Sequence, residues 1–374
     1  MNRDAPPHSP ASDRVRAMLG ALALLWLALA WVSGGLFLSP RNLVNLAVQA
    51  SAVGVMACGM VLVIAARQID LSVGSVLGVT GMVIAGLSVE GGLRGAPLPW
   101  PVALLAGLAL ATAIGAWHGA WVAYARLPSF VVTLAGLLVF RGAAWLVSDG
   151  RTLAPLAEGY TRIGGGLSGT IGAPASWWLA GGVCAVALAA RKRAALPAVA
   201  ALIAFAAIAN AVPGPDGSGA GIPLPLLVLG AVAFGVHVLA TRTRFGRHVF
   251  AIGGSPLAAD LAGIDVRGVT LRAFALLGAL AGVAAVLTTA RLGAGTNSMG
   301  SQAELAVIAA AVLGGTSLAG GAGSVGGALL GALWMQSLEN GMVLLDVTSA
   351  LRQVVIGLVL LAAVAADVRS RGAT

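Results

Sequence analysis

The sequence predicts an all-α, polytopic membrane protein: a helix bundle with about 10–12 transmembrane helices. Three observations predict it. Of the 374 residues, 59% are hydrophobic and only 9% charged. A soluble domain carries roughly 25% charged residues, so lipid must solvate most of this protein's surface. Apolar stretches recur along the whole chain, and many reach the roughly 20 residues a helix needs to cross a hydrocarbon core about 30 Å thick. The 53 glycines sit mainly inside these stretches, where small residues let helices approach closely. The runs are continuously apolar rather than alternating, which excludes a spanning β-barrel.

Twelve segments satisfy this pattern: 17–38, 43–66, 73–89, 99–124, 129–147, 177–190, 194–212, 224–240, 272–290, 303–316, 323–344 and 351–366. Those at 177–190 and 303–316 are short. The first begins after Arg14 and Arg16, and its Ala28-Leu29-Ala30 resembles a signal-peptide cleavage site. Its apolar character continues to Leu38, longer than a signal segment, so an uncleaved first helix is expected. Pro6, Pro7 and Pro10 precede it among few apolar residues, the composition of a disordered tail. The expected organisation is a tail at 1–16, a transmembrane domain at 17–366 and a second tail at 367–374.

Lysine and arginine placement sets orientation. With the N-terminus in the cytoplasm, 15 of the 22 basic residues fall on inner loops, and an even helix count returns the C-terminus to that side. The net charge of +9 therefore reads as membrane orientation, and no nucleic-acid partner is expected. Two long loops result: an external one at 148–176, rich in glycine, serine and threonine, and a cytoplasmic one at 241–271. Cys58 and Cys184 both lie in apolar stretches with no Cys/His ligand spacing, so packing is expected rather than a metal site or disulfide.

The 241–271 loop is the most informative segment. Ser255 is a good N-cap, Pro256 suits the first helical position and Gly263 is a natural stop, so a short helix is expected over 255–263. Ala258, Ala259 and Gly263 would give it a small surface for another protein; a plain solvated connector is the alternative. Gly323, Gly327 and Gly331, like Gly115 and Gly119, are spaced four apart and read as helix-packing positions.

Ionisable residues near apolar segments are candidates for a translocation path, because charge is costly in lipid. Asp70, beside Ser72, either orders a break or starts the third helix. Arg141 either faces a path or extends outward to the interface. Glu304 sits where the tenth segment starts, Glu339 and Asn340 lie deeper in theirs, and His118 lines a cavity or packs between helices. Mid-membrane acids are scarce, which argues against an ion-coupled carrier. No GxxxxGK[ST] phosphate loop occurs, and Lys192 is the single lysine, so ATP hydrolysis would need another subunit.

Three motifs in order carry a resemblance: Ile69-Asp70-Leu71-Ser72-Val73-Gly74-Ser75; Arg244-Phe245-Gly246-Arg247 followed by Ala251-Ile252-Gly253-Gly254; and Gly314-Gly315-Thr316-Ser317-Leu318-Ala319-Gly320-Gly321. Over about residues 17–366 the chain resembles the sugar permeases of bacterial ABC importers, in the ribose and xylose branch. The xylose side is favoured by Pro128 to Gly136, Phe140-Arg141-Gly142, Arg291 to Gly295, Glu339-Asn340-Gly341-Met342 and the extra apolar pair around Arg191-Lys192-Arg193. The resemblance implies an inner-membrane importer of a monosaccharide, D-xylose first, with ribose or another small sugar as the alternative. It implies a separate ATP-binding subunit, a periplasmic sugar-binding protein, a permease homodimer and no cofactor in this chain. Arg244, Gly246, Arg247, Gly253, Gly254, Ala258, Ala259 and Gly263 would form the ATPase-coupling loop. Leu257, Ser255, His118 and Ala306 depart from the residues usual in related importers, and Ala306 removes an acidic group.

Overall fold

The computed structural model describes residues 10–93, 95–166, 168–189, 196–214 and 217–372. The start of the N-terminal tail and Arg191-Lys192-Arg193 lie outside them. Among the described residues the fold is helical, with only isolated backbone bridges between loops. The helices are α1 (Pro10–Val32), α2 (Pro40–Ala65), α3 (Val73–Ser88), α4 (Trp100–Ala123), α5 (Ser129–Leu146), the one-turn α6 (Glu158–Thr161), α7 (Gly172–Ala189), α8 (Leu196–Asn210), α9 (Leu224–Arg242), α10 (Arg244–Gly254), α11 (Pro256–Leu261), α12 (Val266–Leu292), α13 (Ala303–Leu313), α14 (Val325–Leu344) and α15 (Ser349–Gly372). Each of the twelve expected segments falls on a helix. Among the described residues seven helices are long and apolar enough to cross a membrane: α1, α2, α4, α5, α7, α9 and α12. Four shorter apolar stretches, in α3, α8, α13 and α15, accompany them.

The outer boundaries differ from expectation. Helix α1 begins at Pro10, inside the stretch read as a tail, and α15 runs to Gly372, past residue 366. In both cases an apolar helix propagates into its polar flank, because extension costs less than nucleation. The 241–271 loop is largely helical, holding α10, α11 and the start of α12.

Two helices form the centre. From Val53 to Ala65 every residue of α2 is buried, and α12 is buried along most of its length. Helices α3, α4, α9 and α14 pack around this pair. The closest crossing joins α4 and α12. A β-carbon on Gly278 would strike Ala111 and Gly115, and one on Gly119 would lie 2.8 Å from the Leu271 Cα. Gly327 and Gly331 likewise face the backbone of Gly314 and Ala310 at the junction of α13 and α14, whereas Gly323 precedes α14 and packs on Thr316. The bundle exterior is apolar: Leu24, Trp31, Leu105, Leu138, Leu146, Trp178, Leu358 and Leu361 are all exposed, as a lipid-facing surface requires.

Loops gather on two opposite faces. One carries Arg67, Arg126, α10 and α11. The other carries Arg41, the 147–171 loop and Leu292. On this second face the 147–171 loop is fixed rather than free. Leu153 and Gly295 exchange backbone hydrogen bonds of 2.9 Å, and Leu156 N donates to Gly293 O at 3.0 Å. Tyr160 inserts beside Trp100 and bonds Thr289. Burial pushes the Tyr160 hydroxyl up to about 12, so it stays protonated at neutral pH.

Candidate functional site

Helix α13 has only 11 residues. At 1.5 Å per residue it spans roughly 17 Å, about half of a hydrocarbon core. The rest of that crossing, residues 293–302, is unwound. The segment leaves α12 at Gly293, in the left-handed region, and enters α13 at Gln302, which has φ 61°. Arg141 holds it from α5: Nη1 donates to Met299 O at 2.8 Å and Nη2 to Gly300 O at 2.9 Å. Arg141 is five residues short of the Leu146 end of α5, roughly 8 Å in from that face. Gly300 packs on Gly74 in the first turn of α3, where no side chain would fit.

The unwound segment is polar. Ser298, Ser301 and Gln302 are exposed, and Thr296 and Asn297 are half-buried. Irregular backbone at membrane depth persists only where protein buries it or it lines a hydrated path. In the sequence only Glu304, at the end of this stretch, stands out as a costly charge, and these residues do not. The available signal was the shortness of the 303–316 segment next to a run of small polar residues.

Five of the expected path residues surround this break. Asp70 is 3% exposed, and its Oδ1 accepts from Ser72 N at 2.7 Å and Ser72 Oγ at 2.6 Å. It therefore closes the turn that precedes α3, two residues before the Ser72 N-cap, in a buried setting; Asp70 is neither the N-cap nor a first-turn acid of α3. His118 is fully buried against Trp117, Phe140 and Gly136. Glu304, in the first turn of α13, lies against Gly74. Asp70 is within electrostatic reach of His118 and Glu304, and Arg141 of Glu304. Arg141 bonds backbone inside the bundle and does not extend to the interface. Asp70, Ser72, His118 and Glu304 are buried and Arg141 is half-buried, so in this conformation the cluster shapes the unwound segment.

Glu339 and Asn340 do not join the cluster. Asn340 forms a reciprocal amide pair with Asn42 of α2, at 2.9 and 3.1 Å, and Glu339 accepts from Gln336 at 2.7 Å. Such buried amide pairs tie helices together in lipid, so Asn340 is engaged in joining α2 to α14.

The opposite face of interest is built from α10 and α11. Ser255 Oγ accepts from Ala258 N at 3.3 Å, Pro256 opens α11, and Gly263 ends it at φ 80°. The expected N-cap, first-position proline and glycine stop all stand. The exposed surface differs from the expected one. Ala259 is buried at 4% and faces its own chain, while Leu257 and Leu261 are 72% and 81% exposed. A six-residue helix seated through Ala259 must turn the residues two before and two after it outward. Beside it a cleft of ≈ 580 Å³ is lined by Ala123, Arg126, Leu257, Asp260, Asp265 and Arg267, among others. Of the other loop residues, Arg244, Arg247, Gly254, Ala258 and Gly263 are exposed. Gly246 and Gly253 are buried, packed on the ends of α9 and α2 where a side chain would collide with backbone.

A half-helix entered from polar, unwound backbone is the construction by which transport proteins present hydrogen-bonding groups at membrane depth. It defines this multi-pass chain as a membrane transport protein. Residues 42–364 match the model of the family described as branched-chain amino acid transport system / permease component, and the chain belongs to that family. It is thus a permease component of an ABC transporter, a transport subunit rather than an enzyme, of a class that works with ATP-binding and substrate-binding partners. It is 40% identical to the xylose transport system permease protein XylH of Escherichia coli strain K12 over 364 residues, covering 95% of this chain and 91% of the relative. It is also 40% identical to XylH of Haemophilus influenzae, covering 96% and 97%. Identity to the ribose import permease protein RbsC of Escherichia coli strain K12 is 34%, covering 88% and 87%. No solved structure matches.

Proposed function

We propose that this chain is the membrane-spanning subunit of an ATP-driven importer of a monosaccharide, D-xylose. The observation that carries this is the 40% identity to the xylose permeases over nearly the whole length of both chains. In this reading two copies pair around a path in the bacterial inner membrane, with both termini cytoplasmic. The excess of arginine on the α10–α11 side supports that orientation. A separate ATP-binding subunit docks on α11 through Leu257 and Leu261. A sugar-loaded binding protein docks on the opposite face.

The path is lined by the 296–302 segment. Its hydroxyls, amides and free backbone groups replace the water that a sugar gives up on leaving solution. Arg141 holds that segment directly, and Asp70, Ser72, His118 and Glu304 pack the protein behind it. Gln302 offers a sharp test because Gly at this position keeps the left-handed backbone and deletes only the side chain. Losing one neutral hydrogen bond of about 0.5–1.5 kcal/mol corresponds to roughly a 2–10-fold weakening. Gln302→Gly is therefore expected to raise the sugar concentration for half-maximal uptake by about that factor at unchanged expression.

The reading itself is tested by uptake of labelled D-xylose into proteoliposomes holding the permease, the ATP-binding subunit and the binding protein. ATP-dependent uptake, displaced by unlabelled D-xylose more effectively than by D-ribose, is the expected result. Displacement led by ribose would keep the importer and change its sugar. Uptake that follows an ion gradient without ATP would sink the importer reading altogether.

A further inference from the structure

Helix α2 ends in a turn with an unusual occupant. Gln68 N donates to Val63 O at 3.0 Å and Arg67 N to Ile64 O at 2.9 Å, the double bond of a Schellman stop. Arg67 therefore occupies the position that glycine usually fills, and it sits there at φ 62°. A long side chain held in the left-handed region is strained. Such strain persists where the surroundings over-determine it, and it points from an observed outlier toward a role.

The side chain supplies the over-determination. Arg67 Nε donates to Gly253 O at 2.8 Å, and Nη2 donates to Gly254 O at 2.9 Å. These are the last two carbonyls of α10, unpaired by their own helix and at the negative end of its dipole. A third segment joins the same point: Gly321 N donates to Ala65 O at 2.9 Å, and Gly320 packs on the Arg67 side chain. Gly253 lies so close to Ala65 and Gly321 that no side chain would fit between them. On one side of the knot α10 continues through Ser255 into α11. On the other, three residues past Arg67, stands Asp70, whose carboxylate closes the turn that leads into α3. Arg67 is thus the direct side-chain tie between the exposed α10–α11 unit and the chain leading to the buried cluster.

We infer that Arg67 is a positioning residue for coupling: it makes α10–α11 and the 68–72 segment move as one, so that a push on α11 reaches Asp70 and the first turn of α3. The inference rests on α11 being the seat of the ATP-binding subunit. It separates two things that a docking surface alone would merge, holding the partner and responding to it.

The test uses the full complex of permease, ATP-binding subunit and binding protein, with Arg67→Gly and Arg67→Lys. The glycine variant relieves the backbone strain while deleting the tie, so it is expected to fold. Three quantities are read: retention of the ATP-binding subunit on purification, ATPase activity without sugar, and the increase in ATPase activity and uptake caused by binding protein loaded with D-xylose. Arg67→Gly is expected to retain the subunit and the sugar-free activity within about twofold, and to lose tenfold or more of the sugar-dependent increase. Arg67→Lys, with one donor group in place of a fork, is expected to fall between the two. A wild-type sugar-dependent increase in Arg67→Gly overturns the inference. So does a loss of that increase only in proportion to lost subunit, which marks a purely structural tie. A wild-type complex with no ATP-dependent response overturns the importer reading, and this inference with it.

Discussion

Arg141→Leu is expected to abolish most transport while leaving the helix bundle in place. The leucine is shorter and has no donor, so it leaves Met299 O and Gly300 O without their 2.8 and 2.9 Å partners. A buried acceptor left unpaired costs about 1–3 kcal/mol, so the pair is worth about 2 kcal/mol or more to the ordered form of residues 296–302. Each 1.4 kcal/mol is tenfold in population, which puts the loss of uptake at roughly 30-fold or greater. Arg141→Lys keeps the charge but offers a point donor in place of the planar fork, and an intermediate uptake is expected. Initial uptake rates in proteoliposomes, beside thermal unfolding in detergent, separate the alternatives. Full-rate uptake by Arg141→Leu would mean that the unwound segment stands without this clamp.

The second large effect is expected on the opposite side of the molecule. Leu257 and Leu261 are four residues apart on α11 and mostly exposed, an apolar pair on a face otherwise rich in arginine. Fully burying a leucine side chain contributes about 1.5–3 kcal/mol. The double variant Leu257→Asp, Leu261→Asp is therefore expected to lose the ATP-binding subunit by a factor of about 100 or more. Folding should be untouched, since neither side chain is packed inside. Co-purification from membranes checks this, with thermal stability of the isolated permease as the control. Undiminished co-purification would move the docking surface elsewhere. Ala259→Glu would be a poor probe, because Ala259 is buried against its own chain and a carboxylate there would unseat α11 itself.

The sequence disclosed the helices better than their company. Hydropathy found all twelve apolar segments because each must be nonpolar along its length, whatever surrounds it. It could not say that α2 and α12 are enclosed by protein while α1, α5 and α7 face outward, since lipid and a packed interior demand the same side chains. The capped helix at 255–263 was legible from Ser255, Pro256 and Gly263, since capping is local chemistry. Which way it points was not, because the burial of Ala259 is fixed by tertiary packing. Asp70, His118, Arg141 and Glu304 were visible as costly residues, but their meeting around Gly74 and Gly300 joins positions more than 200 residues apart. Arg67 read only as an inner-loop charge, since neither its backbone angle nor its partners at Gly253 and Gly254 leave a local trace.

The enclosure of α2 has a consequence for how the protein is made. Its principal partner, α12, begins 200 residues after α2 ends, at Val266 against Ala65. At a synthesis rate of about 5–20 residues per second, roughly 10–40 s pass before that partner exists. Through this interval the future centre of the bundle stands in the bilayer with its inner faces bare. A helix built for its final surroundings alone could carry buried polar groups there. From Val53 to Ala65, α2 carries none but the thiol of Cys58. Its composition thus suits the nascent chain in lipid as well as the finished bundle. Polar substitutions in this stretch should act first as defects of membrane insertion, before any finished bundle exists to be destabilised.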